Sequence, residues 1–494
     1  MNRSIRRVAL VLGLAFLALF VNLNIVQLAK SDDLANHASN RRLLVQEYAT
    51  RRGEILAGDL VLAESVESEN PTYRFERHYP QAELYGPITG YYSFYYGATA
   101  LERTYNDALL GKDPPTTENF VDDLLGRETE GNVIMLTIDP RLQRLARRAL
   151  GGQRGAVAAI DPETGAVRAL YANPTYDPNP LSQDPRNVSE IQDAWATLVN
   201  DPARPLTFAA TQKSYPPGST FKIVTAAAGL ENGMTPTTTF PDPRRLDLPD
   251  TDRTLGNFQG GSCAGGRISM ATGFRVSCNS TFAQVAMKIG AEKLIATAEK
   301  FGLDRDPVFD IPMAASCVKN DPGAGCDVPA LSRPATAYSG IGQQDVRVTP
   351  LQMAIIAAAA GNGGFRVEPK LVARVLSPEG EPLRELEPAR ERILKKKTAT
   401  SLKQMMIDTV RSGTGAVVGF RQASSGKIGG KTGTAETGIE GQPPHVWFVA
   451  FAPGIAVAAV VENGGDLGDA ATGGRVAGPI VKALVDDWMR RTDA

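Results

Sequence analysis

An apolar run close to the N-terminus is the strongest pattern in this chain. Residues 8–29 are 22 consecutive uncharged positions, enough to cross a bilayer as a helix. Arg3, Arg6 and Arg7 precede the run, and positive charges on that side predict a cytoplasmic tail over residues 1–7. A cleaved signal peptide is the alternative, but no clear cleavage site of small residues follows the apolar core. We therefore expect an uncleaved single-pass anchor in the cell membrane, with everything after Lys30 outside the cytoplasm.

Residues 30–150 show a mixed pattern. Residues 30–55 are typical of an amphipathic helix followed by an extended stretch, and the segment PTYRF predicts a short strand. A polar, acidic stretch at residues 112–132 is typical of a linker or a surface excursion. A short apolar run then precedes Asp139 and Pro140, which suit the N-cap and the first turn of a helix. This region is therefore expected to contain both helices and strands.

Strands are predicted at both ends of the remaining chain. GAVAAIDPETGAVRALYANP, from Gly155, consists of two alternating apolar runs around DPETG, the pattern of a β-hairpin. Near the C-terminus, KIGGKTGTAE, HVWFVAFAP and IAVAAVVEN predict three successive strands, and VAGPIVKALVDDWMRR predicts a closing helix. Residues 215–420 between these ends are mostly helical in pattern. We expect an α/β (α+β) protein in which N-terminal and C-terminal segments complete one antiparallel sheet.

Composition narrows the class of protein. The chain has 494 residues, 43% of them hydrophobic and 22% charged, which is typical of a globular protein of two or three domains. The formal net charge is −1 and no basic stripe is visible, so nucleic-acid binding is not expected. Four cysteines fall in the part predicted to lie outside the cytoplasm, where disulfides form. The cysteines lack zinc-like spacing and histidines are few, so no metal site is expected.

The stretch SYPPGSTFK places Ser219 and Lys222 three residues apart at the start of a predicted helix. The preceding Pro-Pro-Gly interrupts any helix from upstream, and Ser219 or Thr220 would then suit the N-cap. Positions i and i+3 share one helical face, so the two side chains can point the same way. A capped helix with a solvated lysine is the simpler interpretation, and Ser424 and Lys427 repeat the spacing elsewhere.

Two further motifs follow in the chain. Ser277 and Asn279 form an S-x-N motif in a predicted loop before a helix, and Lys431 opens KTGT on a predicted strand. Each motif is weak alone, and residues 68–70 also match S-x-N. The ordered set of S-x-x-K, S-x-N and K-T-G, each in a fitting context, resembles the penicillin-binding proteins and serine β-lactamases.

The resemblance extends over nearly all of residues 50–490. RRGEILAGDLVLAES and YGATALERTYNDALLG are similar to N-terminal signatures of class B penicillin-binding proteins, most of all the actinobacterial PbpA-type members. The loop AGDLVLA is shorter than usual and PLTFAAT lacks a common Asn-Arg, departures that concern local loop geometry. The resemblance implies an N-terminal dimerisation or pedestal-type region over 30–150. It also implies a transpeptidase domain over 151–494, with an antiparallel five-stranded sheet flanked by helices and a large helical subdomain.

The resemblance and the chemistry of the side chains together assign roles. Ser219 is the expected nucleophile, and Lys222 is the expected base once desolvation and a nearby cation, Lys431, lower its pKa. The backbone N–H groups of Ser219 and Thr434 are the expected oxyanion hole. The remaining expected roles are a proton relay for Ser277, contacts of Asn279 with Lys222 and a substrate amide, and substrate or β-lactam binding by Thr432, Gly433 and Thr434.

Simpler interpretations stay open for some positions. Ser277 could be only the N-cap of the following helix, and KTGT could be a plain strand with a glycine bulge. Trp447 and Phe448 are expected in the core rather than against a substrate. Glu102 is expected to be a structural partner within the N-terminal region.

The function that the resemblance implies is that of a membrane-anchored peptidoglycan D,D-transpeptidase. The donor would be a stem peptide ending in D-Ala-D-Ala, and β-lactams would acylate the same serine. Class B members work beside a membrane glycan polymerase of the shape, elongation, division and sporulation type, and no metal or organic cofactor is implied. The alternatives are a D,D-carboxypeptidase and a non-catalytic penicillin-binding sensor or scaffold. A class A β-lactamase is disfavoured because the chain has no E-x-x-L-N string.

Four cysteines allow three pairings, and the sequence alone does not choose among them. Cys317 and Cys326 flank a short flexible loop whose ends can meet, so we expect them to pair and leave Cys263 with Cys278. Because Cys278 is the middle residue of the S-x-N motif, that bridge would tether the motif to the Gly-rich segment around Cys263. The alternative is a small buried thiol under the site.

Overall fold

The computed structural model describes residues 3–26, 41–113, 130–319, 325–326, 331–385, 387 and 389–492. The predicted end of the anchor at 27–29 and most of the predicted linker at 112–132 lie outside the described residues. Helix Arg3–Asn24 exposes apolar side chains along its length. Its stretch Ile5–Asn24 is long and apolar enough to cross a membrane, and no second such helix is found among the described residues. The helix begins before the predicted run at residue 8.

Five antiparallel strands form the sheet at the centre of the molecule. In spatial order they are Gly429–Ala435, His445–Ala452, Ile455–Val461, Gly155–Ile160 and Val167–Asn173. The predicted hairpin and the three predicted C-terminal strands are thereby confirmed. Pairing between the first two strands is continuous from Gly429 opposite Phe451 to Ala435 opposite His445, so the KTGT strand contains no bulge. Every residue of Ile455–Val461 is buried because both faces of the sheet are covered.

Helices cover this sheet and continue into a helical subdomain. Helix Pro350–Gly361 is apolar except for Gln352, since it lies between the sheet and further helices. Pro140–Leu150 and the closing helix Ala477–Thr492 pack on the sheet and on each other. The Asp139 carboxylate accepts the backbone N–H groups of Arg141 and Leu142, which confirms the predicted N-cap. The other helices after residue 150 are Val188–Asn200, Lys222–Glu231, Met270–Arg275, Asn279–Ile289, Ala291–Lys300, Arg333–Ser339 and Lys396–Ser412.

A second sheet connects the N-terminal region to a distant part of the chain. Its six strands, in spatial order, are Pro382–Glu385, Val372–Leu376, Val133–Leu136, Ile55–Ala57, Leu60–Glu67 and Phe75–His78. The strand predicted over PTYRF therefore begins only at its last residue, Phe75. The first two strands in that order come from beyond residue 150, so this sheet contains segments from both sides of the expected domain boundary.

The remaining elements are short. Helices Arg41–Ala49, Ala82–Thr89, Ala100–Thr104 and Asn106–Leu109 belong to the N-terminal region. The two-stranded ladders are Tyr92–Ser93 with Gly97–Ala98, Thr239–Pro241 with Arg267–Ser269, Arg245–Asp247 with Thr254–Gly256, and Phe365–Val367 with Arg390–Arg392. The ladders between residues 239 and 269 lead into the segment that carries the S-x-N motif.

A fully buried carboxylate holds the N-terminal region together. Glu102 forms ion pairs of 2.6 Å with the Nε atoms of Arg52 and Arg77. Burial opposes its ionisation, but the two guanidinium groups outweigh burial and lower the pKa of Glu102. Removing one partner from such a buried network costs about 3–5 kcal/mol of stability. Glu102 thus has the structural role that its position in the sequence predicted.

Candidate active site

A cleft of about 910 Å³ brings the three sequence motifs together. The strand Gly429–Ala435 is at the edge of the central sheet, so one side of it is free to border this cleft. Lys222 and Lys431 do not line the cleft and are fully buried. The motif side chains that do line it are Ser219, Ser277, Asn279, Thr432 and Thr434.

The prediction that Ser219 or Thr220 caps the following helix was wrong. Residues Gly218–Phe221 form a 3₁₀ turn, and the α-helix begins at Lys222. The Thr220 hydroxyl donates instead to the carbonyl oxygen of the residue three positions earlier, at 2.8 Å. An N-cap needs an extended backbone, whereas the backbone on both sides of this turn is already helical. The hydroxyl of Ser219 is therefore not used in helix capping.

Two glycines let the Ser219 turn pack against the KTGT strand. Gly218 has a φ of +51°, and a Cβ atom there would lie 2.5 Å from the carbonyl oxygen of Thr434. A Cβ atom at Gly433 would lie 2.9 Å from the Pro217 carbonyl oxygen and from the Thr220 methyl group. Because real Cβ atoms do not approach this closely, both positions need glycine. The turn and the strand edge are in this way held in direct contact.

Both motif lysines bond to the S-x-N motif. Lys222 Nζ donates to the Ser277 carbonyl oxygen and to Asn279 Oδ1, each at 2.7 Å. Lys431 Nζ donates to Ser277 Oγ at 2.8 Å. In the described part of the chain no hydrogen bond joins Lys222 to the Ser219 hydroxyl, although the sequence predicted that contact. The Ser277 side chain does not cap the following helix, whose N-cap residue is its neighbour, so the capping alternative is not supported.

Burial changes the basicity of both lysines. It lowers the pKa of Lys222 well below its usual range, and the nearby charge of Lys431 lowers it further. Burial also lowers the pKa of Lys431, to about 7. Both shifts favour the neutral amine, which is the form that a lysine needs for base catalysis.

The S-x-N loop is tied to a second segment. Both predicted disulfides, Cys263–Cys278 and Cys317–Cys326, are present. Asp242 accepts the backbone N–H groups of the two residues after Cys263, at 2.5 and 2.9 Å. Burial opposes ionisation of Asp242, but these N–H groups outweigh burial and lower its pKa. Nothing in the sequence around Asp242 predicted this role.

The sequence patterns also did not predict several other residues of the site. Thr414 shares a hydrogen bond of 2.8 Å with the Thr432 hydroxyl. Asn257 lines the cleft and accepts the Ser280 N–H at 2.9 Å. Gly473 lies so close to the strands that a Cβ atom there would be 2.0 Å from the Trp447 carbonyl oxygen.

The expected core residues and the repeated motif lie away from the cleft lining. Trp447 and Phe448 are fully buried, as predicted, and the Trp447 indole N–H donates to the Pro216 carbonyl at 3.0 Å. The aromatic ring thereby fixes the segment that leads to the Ser219 turn. Ser424 and Lys427, the second S-x-x-K pair, do not line the cleft.

Comparison with known families gives two matches. Residues 155–486 match the model of the penicillin binding protein transpeptidase domain. Residues 52–134 match the model of the penicillin binding protein A dimerisation domain. Together the matches include most of the six-stranded sheet, the central sheet and the cleft.

Curated relatives are similar over the full length of the chain. The peptidoglycan D,D-transpeptidase PbpA of Mycolicibacterium smegmatis is 37% identical over 506 residues, covering 99% of each chain. The protein of the same name from Mycobacterium tuberculosis is 36% identical over 503 residues, covering 98% of this chain and 99% of its own length.

Solved structures are similar as well. The ceftriaxone acyl-enzyme complex of penicillin-binding protein A from Mycobacterium tuberculosis superposes with a TM-score of 0.81 at 37% identity, covering 90% of this chain and 99% of that one. The crystal structure of PBPA from the same organism has a TM-score of 0.80 at 36% identity, covering 89% and 99%.

Proposed function

This chain belongs to the penicillin-binding protein transpeptidase family, and from that premise we propose that the cleft at Ser219 cross-links peptidoglycan. The donor is a stem peptide ending in D-Ala-D-Ala, and the acceptor is an amine of a neighbouring stem peptide. β-Lactams acylate the same serine, in keeping with the acyl-enzyme complexes of the similar penicillin-binding protein A. The observation that carries the proposal is the convergence of two buried lysines on Ser277, beside Ser219 in one cleft.

Acylation begins when neutral Lys222 accepts the proton of the Ser219 hydroxyl. The Ser219 oxygen attacks the carbonyl carbon of the penultimate D-Ala, and the backbone N–H groups of Ser219 and Thr434 stabilise the oxyanion. The C–N bond to the last D-Ala then breaks. Ser277, which accepts hydrogen bonds from the lysines, relays the proton to the departing amine.

Transfer to the acceptor reverses these steps. The acceptor amine attacks the acyl carbon and loses a proton to the Ser277 and Lys222 pair. The bond to the Ser219 oxygen breaks, and that oxygen regains a proton from Lys222. The C-terminal carboxylate of the donor lies beside Lys431, Thr432 and Thr434 before it leaves with the last D-Ala, since these groups offer one positive charge and two hydroxyls.

The N-terminal helix supports a membrane-anchored placement of this site. Arg3, Arg6 and Arg7 precede the apolar stretch, so the N-terminus is cytoplasmic and the catalytic domain lies outside. A membrane glycan polymerase of the shape, elongation, division and sporulation type supplies the strands to be cross-linked. Cross-linking from single residues introduced along Ile5–Asn24 tests for such a partner in the membrane.

Labelling with a fluorescent penicillin tests the proposed chemistry. The wild-type protein should form a stable covalent adduct on Ser219, and Ser219→Ala should abolish labelling. Ser424→Ala is the matched control from the second S-x-x-K pair and should label normally. An acyl group found by mass spectrometry on any other residue would contradict the mechanism.

The fate of the acyl group separates transpeptidase from carboxypeptidase. With a peptide ester donor and an added amine acceptor, a transpeptidase yields the aminolysis product, whereas a D,D-carboxypeptidase yields mainly the hydrolysed peptide. A penicillin-binding sensor would be acylated but would release neither product.

A further inference from the structure

The active-site cleft is lined by a single charged side chain. Of its lining residues, all within the described part of the chain, only Glu436 carries a carboxylate or a cationic group. Glu436 is exposed, and no ion pair or hydrogen bond to its carboxylate occurs among the described residues. A free carboxylate at the rim of a substrate cleft can bind a cation without first breaking an internal contact.

Glu436 continues the row of side chains on the cleft side of the KTGT strand. Thr432, Thr434 and Glu436 alternate along the chain and all line the cleft, as expected of one side of an extended segment. The strand ends at Ala435, so Glu436 is the first residue beyond it, and a rise of about 3.4 Å per residue places it about 7 Å past Thr434. Thr434 is where the strand touches the Ser219 turn, at Gly218. The carboxylate thus lies past the nucleophile, on the side away from Lys431.

The distance from Thr434 to Glu436 suits the donor residue that precedes D-Ala-D-Ala. A donor whose carboxylate lies at Lys431 and Thr432, and whose scissile carbonyl lies at Ser219, extends past Thr434. One more extended residue adds about 3.3 Å, and a long side chain covers the remaining distance to Glu436. The residue before D-Ala-D-Ala is the one whose side chain reaches the carboxylate.

We propose that Glu436 binds a primary ammonium on the side chain of the donor residue that precedes D-Ala-D-Ala. The inference rests on the proposed function, in which the acceptor supplies a stem-peptide amine. Donor and acceptor are stem peptides of the same kind, so the donor carries the same amine. Lys431, which is buried next to Thr432 and does not line the cleft, favours the carboxylate at one end, and Glu436 favours the ammonium at the other. The two charges then fix the direction in which the donor binds.

A pair of peptide donors tests the proposal, because the ammonium is then at the end of the side chain in question. Nα-Acetyl-L-Lys-D-Ala-D-Ala carries a free side-chain ammonium, and its Nα,Nε-diacetyl derivative differs only by the acetyl group that removes this charge. The ratio of their second-order rates of D-Ala release is measured at about pH 7, where a lysine side chain is protonated. Glu436→Gln should lower the ratio of the free-amine donor to the acetylated donor about two- to fivefold, the range of an exposed ion pair, and Glu436→Lys should lower it further. Using the ratio cancels any general effect of charge on the donor carboxylate.

Glu440→Gln is the matched control. Glu440 lies in the same loop but does not line the cleft, so its removal should leave the ratio unchanged. An unchanged ratio in Glu436→Gln would overturn the proposal.

The acceptor is the other possible source of the ammonium. To test this source, the rate at which D-lysine attacks an acyl-enzyme with an uncharged acyl group is divided by the rate for D-norleucine, which lacks the side-chain amine. If Glu436→Gln changed only this second ratio, the ammonium would belong to the acceptor and the donor assignment would be wrong. Failure of the proposed function is distinct, because wild-type protein would then release no aminolysis product from a peptide ester donor and an amine acceptor.

Discussion

Two lysines that share one serine define the chemistry at the scale of single residues. Lys222 and Lys431 both donate to Ser277, and each Nζ also lies over an aromatic ring, at 5.9 Å from Phe282 and 5.7 Å from Phe274. Burial lowers the pKa of both amines, and the second charge lowers that of Lys222 further. The rings accommodate a cation, while burial favours the neutral form, so the protonation of the pair is sensitive to pH.

We expect a bell-shaped pH profile for the second-order rate of acylation by benzylpenicillin. Lys222 accepts a proton only as a neutral amine, so the rate falls as pH drops through its lowered pKa. Lys431 attracts the substrate carboxylate only as an ammonium, and its pKa of about 7 makes the rate fall again as pH rises past that value. Rapid-mixing kinetics across the range in which the lysines titrate measures both limbs.

Three variants identify the side chain that is responsible for each limb of the pH profile. Lys431→Gln removes a positive neighbour, so the pKa of Lys222 rises, the acid limb moves to higher pH and the alkaline limb disappears. Lys222→Met removes the base and should slow acylation about 10²–10⁴-fold. Lys427→Gln, from the second S-x-x-K pair, should leave both limbs in place. An alkaline limb that persists in Lys431→Gln would belong to another group.

At the scale of elements, a disulfide joins the S-x-N loop to the segment around Cys263, which is itself held by Asp242. Ser277 has a φ of +62°, a left-handed conformation that a non-glycine residue keeps only when its surroundings impose it. Cys278 is bridged to Cys263, and the segment after Cys263 is bonded to Asp242. The position of Ser277, the proposed proton relay, therefore depends on a segment outside the three motifs.

We expect Cys263→Ser, or reduction of the wild type, to slow acylation while the fold is retained. The Cys263–Cys278 bridge closes a separation of 15 residues, for which a chain-entropy model gives about 3 kcal/mol of stabilisation. The rate falls because Ser277 and Asn279 are then less firmly positioned. Stopped-flow acylation, with circular dichroism to follow the fold, measures the two effects separately.

The second disulfide provides the control for this prediction. Cys326→Ser opens the Cys317–Cys326 bridge, which does not line the cleft, and should reduce stability without slowing acylation. Equal slowing in both variants would show that the effect is general destabilisation. A free, alkylatable Cys278 in exported protein would contradict the bridge itself.

At the scale of the whole molecule, an apolar helix precedes a folded body. The apolar side chains of Arg3–Asn24 are exposed along the helix, whereas two sheets and their helices bury most of the large apolar side chains in the rest of the described chain. The six-stranded sheet joins the N-terminal region to strands Val372–Leu376 and Pro382–Glu385. The body after the anchor is therefore built as a connected structure that does not rely on the helix for its core.

Removal of the anchor should separate membrane attachment from penicillin binding. The full-length protein should sediment with membranes and keep its N-terminus, because the apolar stretch remains in the bilayer. A truncated variant that starts at Asp32 should be soluble and should still be labelled by fluorescent penicillin. Membrane fractionation and labelling check both results, and a processed N-terminus after residue 20 would contradict an uncleaved anchor.

The chain pattern was sufficient for features that depend on neighbours in sequence. It predicted the apolar helix, the hairpin of Gly155–Ile160 and Val167–Asn173, the C-terminal strands and the Asp139 cap, since periodicity and capping chemistry are local. It also placed Ser219, Ser277 and Lys431 in motifs whose order indicated a shared site. The start of the PTYRF strand and the capping of the Ser219 helix were wrong because tertiary packing overrode local preference.

Contacts between distant segments were decided only by the tertiary structure. Val133–Leu136 pairs with Val372–Leu376, and Asp242 bonds to the segment after Cys263. The hydrophobic pattern of each segment gives no sign of its distant partner. Likewise, Lys222 bonds to Ser277 and Asn279 rather than to the serine three residues away. The lowered lysine pKa values follow from desolvation by the assembled core, and desolvation is a property of the packed molecule rather than of any segment.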